Sequence, residues 1–299
     1  MSDEAKISAS ETREEASAAS MVNARYALRR FTRRRGALFG LIVLLVLVLV
    51  TLFAPYLTSH NPVQPNLANR LAAPSGEHLF GTDNLGRDLF ARTLFGARVS
   101  LMVGPLSTAI VLVIGLLVGC VSGFYGGRVD LVLQRIVDVV MCMPAIFLIL
   151  VIIAFIGPSI STTILVIGLV YWTAPARIIR AEFLSLRDRD FVEAAKALGM
   201  REFRIMWRHI LPNALPPLIV QTSLFIAQAI LIEAALSYLG LGAQPPQPSW
   251  GNIMTDGGRV LHRAWWVATF PGIALFLTVL SLNLVGDGLR DAFDPKQKR

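Results

Sequence analysis

The stretch "DFVEAAKALGMREFRIMWRHILP", Asp190 to Pro212, is a charged, water-soluble interlude in a chain that is otherwise mostly apolar. It ends abruptly, because the 23 residues from Ile210 to Ile232 carry no charge at all. Asp190 is a good N-capping residue type, and Glu193 stands three residues later, where it completes a capping-box-like pair. Two acids in the first turn suit the positive end of a helix dipole. Gly199 sits where a glycine just past the C-cap closes a helix. The pattern predicts one short helix over 191–198, with Phe191, Ala194, Ala195 and Leu198 on one face at i, i+3, i+4 and i+7. A helix this short has little stability alone, so that face needs a partner. The partner is either the protein's own bundle or another subunit.

The composition says what surrounds the interlude. Of 299 residues, 54% are hydrophobic and 16% charged, and the mean hydropathy is +0.59. A soluble domain is about a quarter charged, so this is the composition of a membrane protein. Crossing a hydrocarbon core takes about 20 apolar residues as a helix. Runs free of Asp, Glu, Lys and Arg cover 36–59, 99–127, 139–176, 210–232 and 264–286. The third has 38 residues, too many for one crossing, and Gly157-Pro158-Ser159 divides it. Six transmembrane helices are expected, the fifth continuing past Glu233 to about Gly240. The first follows 35 residues that include several acids, and no small-x-small site comes after it, so it is expected to stay rather than be cleaved.

Orientation follows from the basic residues. With both termini in the cytoplasm, the inside segments hold 22 Lys and Arg and the outside segments 6. The net charge of +8 and pI of 10.1 are therefore mainly topological and give no reason to invoke nucleic acid. The chain divides into a cytoplasmic tail (1–35), a first span (36–57), an extracytoplasmic loop with an interfacial helix (58–96), a main transmembrane unit (97–287) containing the charged loop (187–212), and a short cytoplasmic tail (288–299). The tail is Ser-, Ala- and Glu-rich up to residue 24, and six arginines between Arg25 and Arg35 then suit anionic headgroups.

Several residues carry more particular expectations. From Asp88 the sequence reads as an amphipathic helix bearing Leu89, Phe90, Leu94 and Phe95, with Asp88 and Arg92 as an i,i+4 ion pair. It is expected to lie in the membrane interface and lead into the second span. Asp138 marks the cytoplasmic edge of the third span and Pro144 bends it. Prolines 212, 216 and 217 suit an irregular start to the fifth span, and Trp250 suits an interfacial position. Cys120 and Cys142 both fall in spans and read as small apolar packing residues, without a disulfide. Glu233 is a carboxylate at membrane depth. It, Pro144 and Pro216 are the candidates for the translocation path or a subunit interface.

"EAAKALGMREFRIMWRHILP" resembles the EAA loop of permease subunits from binding-protein-dependent ABC importers. Glu193, Ala194, Ala195 and Gly199 match that pattern, while "HILP" departs slightly from its closing spacing. "GTDNLGRDLFARTLFGARVSL", containing Gly81, Thr82, Asp83, Gly86, Arg87 and Asp88, is similar to a signature of the C-type permease subunit of dipeptide, oligopeptide and nickel importers. "ALSYLGLGAQPPQPSWG" and "DGLRDAFDP" resemble later segments of that subunit, so the likeness runs from about Gly36 to Pro295. The resemblance implies an all-α polytopic fold of the type I importer permease, an N-terminal helix followed by a five-helix core, in the bacterial inner membrane. It implies a heterodimer with a homologous permease, two cytoplasmic ATPase subunits that bind ATP and Mg, and an extracytoplasmic solute-binding protein. It implies coupling to the ATPases through Asp190, Phe191, Glu193, Ala194, Ala195, Leu198 and Gly199. The expected cargo is di- or oligopeptides, with nickel or its chelates as the alternative.

Catalysis is poorly supported. The chain has no GxxxxGK[ST] phosphate loop, no HExxH and no paired-cysteine metal pattern. Its histidines, at 60, 78, 209 and 262, all lie outside the expected spans, so none is placed to assist a buried serine. No cofactor and no metal are expected in this chain. The rival reading is a secondary transporter driven by an ion gradient, for which Glu233 is the carboxylate to consider.

Overall fold

The computed structural model describes residues 30–293, and among them helix dominates and no β-strand forms. The expectations for the tail up to residue 29 and for residues 294–299 lie outside the described residues. Helix α1, Arg35–Leu52, is Leu- and Val-rich on every side, so most of it faces outward. Its small residues are the exception. A Cβ on Gly40 would lie 2.7 Å from the Ser281 carbonyl, so α1 packs closely on the last helix, α11, Trp266–Phe293. Arg34 reinforces the contact through an ion pair to Asp291 at 2.7 Å. This arginine of the basic cluster therefore has a partner within the protein.

Helix α2, Leu89–Tyr125, has 37 residues and is roughly 55 Å long at 1.5 Å per residue. Gly115, Gly119 and Gly123 recur every fourth residue and let it lie against helix α6, Thr173–Leu186. Cβ atoms there would stand 2.6 Å from Pro175, 2.6 Å from the Ala176 carbonyl and 2.5 Å from the Phe183 Cβ. No larger residue fits that seam.

Helices α3, Gly127–Cys142, and α4, Ala145–Ile156, meet at an 86° bend. Pro144 sits at this joint, where the sequence reading placed a bend: proline holds the preceding Met143 extended and no helix continues through it. The "GPS" break is as expected: Gly157 takes φ +101° and Ser159 caps α5, Ile160–Tyr171, by accepting from the Thr162 N–H at 3.0 Å. Together α5 and α6 make one apolar passage, Ile160–Leu186. After α7, Asp190–Ala197, a short α8, Glu202–Ile205, passes through a π-helical turn, Met206–Ile210, into α9, Leu211–Tyr238. The expected irregular start is this turn. Pro212, Pro216 and Pro217 lack the N–H groups that would keep an α-ladder regular. Helix α10, Trp250–Arg259, precedes α11.

Among the described residues, five helical stretches are long and apolar enough to cross a membrane, and counting the bent α3–α4 pair as one span brings the number to six. Three details depart from the sequence reading. The interfacial helix is no separate element but the first turns of α2, whose Leu89, Ala91 and Leu94 are buried. Trp250 is fully buried and donates its indole N–H to the Thr93 carbonyl at 3.0 Å, so the lone polar handle that suggested an interface is used inside. Cys120 is packed as expected, but Cys142 ends α3 at the bend and is exposed.

Candidate functional site

Helix α7 is built into one end of the bundle. Val192 and Ala195 are its buried residues, packed in a cluster with Cys120, Ile179, Phe183, Ile205, Met206 and Ile210. That cluster joins α2, α6 and the start of α9, so α7 is keyed to the helices on either side of it. The helix ends as a Schellman motif: the Met200 N–H reaches the Ala195 carbonyl at 3.2 Å and the Gly199 N–H reaches Lys196 at 2.9 Å. Gly199 takes φ +70°, which a side chain would strain. The start differs from expectation. Asp190 is the first helical residue, not the cap, and Arg189 precedes it without any side-chain cap. Asp190 and Glu193 thus act on the helix N-terminus by charge, not by a capping hydrogen bond.

The expected apolar face divides between inside and outside. Ala195 turns inward with Val192, whereas Phe191, Ala194 and Leu198 are exposed, Leu198 to 80%. Nearby Phe203 is 68% exposed. Above this face α6 is tied to α3: Arg180 holds Asp130 through two bonds of 2.6 Å, and Arg177 pairs with Asp138 at 2.7 Å. Arg187 also reaches the Gly123 carbonyl at the end of α2. The same end of the molecule therefore carries an uncovered apolar knob on a braced mount.

The opposite end of α2 is held by the 81–88 signature, all of whose named residues are buried. Asp83 accepts from the backbone N–H groups of Leu85 (2.8 Å) and Arg87 (3.0 Å) and from the Arg87 side chain at 2.7 Å. Arg92 approaches the same carboxylate at 3.3 Å. The expected Asp88–Arg92 pair does not form. Asp88 instead caps α2 by accepting from the Ala91 N–H at 2.7 Å, and its other oxygen takes the His78 ring at 2.8 Å. A capping carboxylate has its geometry fixed by the backbone, which leaves Arg92 to Asp83. Arg87 extends the network to Asp256 of α10 at 3.3 Å. Burial pushes the Asp256 carboxyl above its ordinary range, against the pull of Arg87 and Arg92. The Thr82 carbonyl accepts the Trp266 indole N–H at 3.2 Å, and a Cβ on Gly81 would meet that ring. Arg87, Arg92, Gln244, Asp256 and Arg259 line a cavity of about 290 Å³ beside this network.

Glu233 is 1% exposed and belongs to neither an open groove nor an outer face of this chain. It accepts from Ser100 of α2 at 2.8 Å and from Ser237, one turn along α9, at 2.7 Å. Ser237 in turn accepts from the Ala243 N–H at 3.0 Å. The other two candidates of the path are separate from it: Pro144 is exposed at the α3–α4 joint and Pro216 is half-buried in α9. Sequence reading missed Ser100 and Asp256, which meet their partners from 133 and 169 residues away. Ser237, at i+4 from Glu233, was open to a helical-spacing argument.

Comparison with known proteins agrees with this architecture. The family described as binding-protein-dependent transport system inner membrane component matches residues 86–299, and the N-terminal TM domain of oligopeptide transport permease C matches residues 24–74. The dipeptide transport system permease protein DppC of Alkalihalophilus pseudofirmus is 43% identical, over 92% of this chain and 90% of its own. The di/tripeptide transport system permease protein DppC of Pseudomonas aeruginosa is 40% identical, over 90% of each chain. Among solved structures, the MetNI methionine ABC transporter in an inward facing conformation aligns with a TM-score of 0.57 and 22% identity, covering 69% of this chain and 97% of that one. This last likeness concerns the fold. By its family match and its relatives, the chain belongs to the binding-protein-dependent transport system inner membrane components, as a permease subunit of an ABC importer.

Proposed function

We propose that this chain forms half of the translocation path of an ATP-driven peptide importer and receives its drive through α7. The observation that carries the reading is the division of that helix: Val192 and Ala195 lock it to the bundle while Phe191, Ala194 and Leu198 stay uncovered. An uncovered knob of this kind fits a groove on a separate subunit. Its displacement would pass through the shared cluster into α6 and α9. The partners are a homologous permease subunit, two cytoplasmic ATPases that supply ATP and Mg, and a solute-binding protein outside. The chain itself performs no chemistry. Both termini and α7 face the cytoplasm of a bacterial inner membrane, and the 58–88 loop and α10 face outward, a topology that the distribution of basic residues supports. Peptides are the cargo class, as the names of the relatives suggest.

The test is uptake by the reconstituted complex in proteoliposomes. Vanadate-sensitive, ATP-dependent accumulation of di- or oligopeptides supports the proposal. Uptake abolished by an ionophore and indifferent to vanadate contradicts the ATP-driven mechanism. Accumulation of nickel chelates without peptides contradicts the cargo.

A further inference from the structure

We infer that His60, His78 and Asp88 form a binding site for a divalent transition-metal ion, which staples the 58–88 loop to the start of α2. This departs from the expectation, drawn from motif spacing, that the chain has no metal site. The three residues lie far apart in a loop with no metal-ligand spacing, yet one donor atom from each falls within 4.8 Å of the other two. His78 and Asp88 are buried and His60 is half-buried, with the two imidazole rings 5.0 Å apart. Tetrahedral coordination at about 2.0–2.1 Å would place the donors roughly 3.3 Å from one another, so the His78–Asp88 pair, now at 2.8 Å, opens slightly while His60 closes in. His60 is free to make that movement, being on a loop rather than a helix.

The surroundings already orient the ligands. Asp88 is fixed by its cap, with Oδ1 on the Ala91 N–H and Oδ2 turned to His78 Nδ1 at 2.8 Å. The Glu77 carbonyl stands 3.1 Å from His60 Nε2, where it takes that N–H and leaves Nδ1 as a lone pair. The Asn69 amide lies 3.2 Å from His78 Nε2. With its NH₂ toward the ring, Nδ1 of His78 keeps its proton and bonds Asp88. With the amide turned over, Nε2–H donates to the amide oxygen and Nδ1 is freed for a metal. Carbonyl and amide partners behind histidine ligands are what metal centres use to set tautomer and direction. The site opens into a cavity of about 310 Å³ lined also by Asn61, Gln64 and Asn66, which leaves room for a water or amide oxygen as fourth ligand. Two imidazoles and one carboxylate favour zinc, nickel or cobalt over calcium or magnesium.

The test uses the full chain, carrying no polyhistidine tag, purified in detergent and stripped with a chelator. Titration with Co²⁺ is followed by its visible d–d absorption, and Zn²⁺ is used to displace it. The inference predicts one saturable site per chain, displaced by Zn²⁺ and unaffected by excess Mg²⁺. His60→Ala, which changes only a loop residue, should weaken Co²⁺ binding at least tenfold, and His78→Gln likewise, while His262→Ala leaves it unchanged. Saturable binding that survives both His60→Ala and His78→Gln would overturn the assignment, as would the absence of stoichiometric binding to the unaltered chain.

Discussion

Before the first turn of α2 and within it, Asp83, Arg87, Arg92 and Asp256 pair their charges largely out of solvent, whereas beyond its last turn α7 leaves Phe191, Ala194 and Leu198 uncovered. Both ends carry charged and apolar groups, but they use them differently. The first is closed on itself: each carboxylate has a basic partner, and α10 and Trp266 cover the network. The second braces its mount with Arg180–Asp130 and leaves the knob open. A chain that buries charge at one end and exposes Leu198 to 80% at the other covers its own charges at the first and leaves an apolar surface open at the second.

The contrast predicts that substitutions at the first end damage the folded chain, while those at the second spare it. The largest effect belongs to Asp83→Ala, which takes from Arg87 and Arg92, at 8% and 3% exposure, the carboxylate they share and leaves Arg87 only the longer contact to Asp256. Removing one partner of a buried charge network costs about 3–5 kcal/mol. Loss of monodisperse protein in detergent, or a sharply lower melting temperature, checks it; wild-type stability would break the contrast. Next comes Gly119→Val in the middle of α2, which places new carbon against the Ala176 carbonyl and Ile179. Overpacking of this kind costs about 1–3 kcal/mol, and thermal unfolding in detergent should register it. A smaller loss, about 1–2 kcal/mol, is expected for Glu233→Gln, because an amide has one acceptor oxygen for two serine hydroxyls. Membrane insertion should be normal and the melting point modestly lower. An unchanged melting point would mean that the serines find other acceptors. The smallest effect is Leu198→Ser, within about 0.5 kcal/mol for the isolated chain, since an exposed side chain gives up little packing.

How much of this was legible in the sequence depends on the range of the interaction. The spans, the "GPS" break and the Gly199 terminator depend on neighbours a few residues away and were read directly from "DFVEAAKALG" and the charge-free runs. The glycines of α2 recur at helical spacing, so the α2–α6 seam was open to the same argument, though their partners on α6 were not. What escaped were choices between competing partners. Asp88 had both Arg92 and its own helix N-terminus in reach, and the N-terminus won. Phe191 and Ala195 share a nominal face, yet the bundle takes Val192 and Ala195 because the approach of α7 is set by α6 and the start of α9. Arg87 meets Asp256 only because α10 folds back over α2, which no local pattern reports.

The central claim is that α7 is the docking element for an ATPase. It is tested most directly by Glu193→Arg and Leu198→Asp in the reconstituted complex, reading co-purification of the ATPase subunits and the turnover stimulated by loaded binding protein. Both residues are exposed, so the permease itself should insert and fold as before. The account predicts that ATPase association or stimulated turnover falls at least tenfold in both variants, with binding-protein recognition retained. Normal association and normal stimulated turnover in both would contradict it, and would leave α7 as a helix that serves only its own bundle.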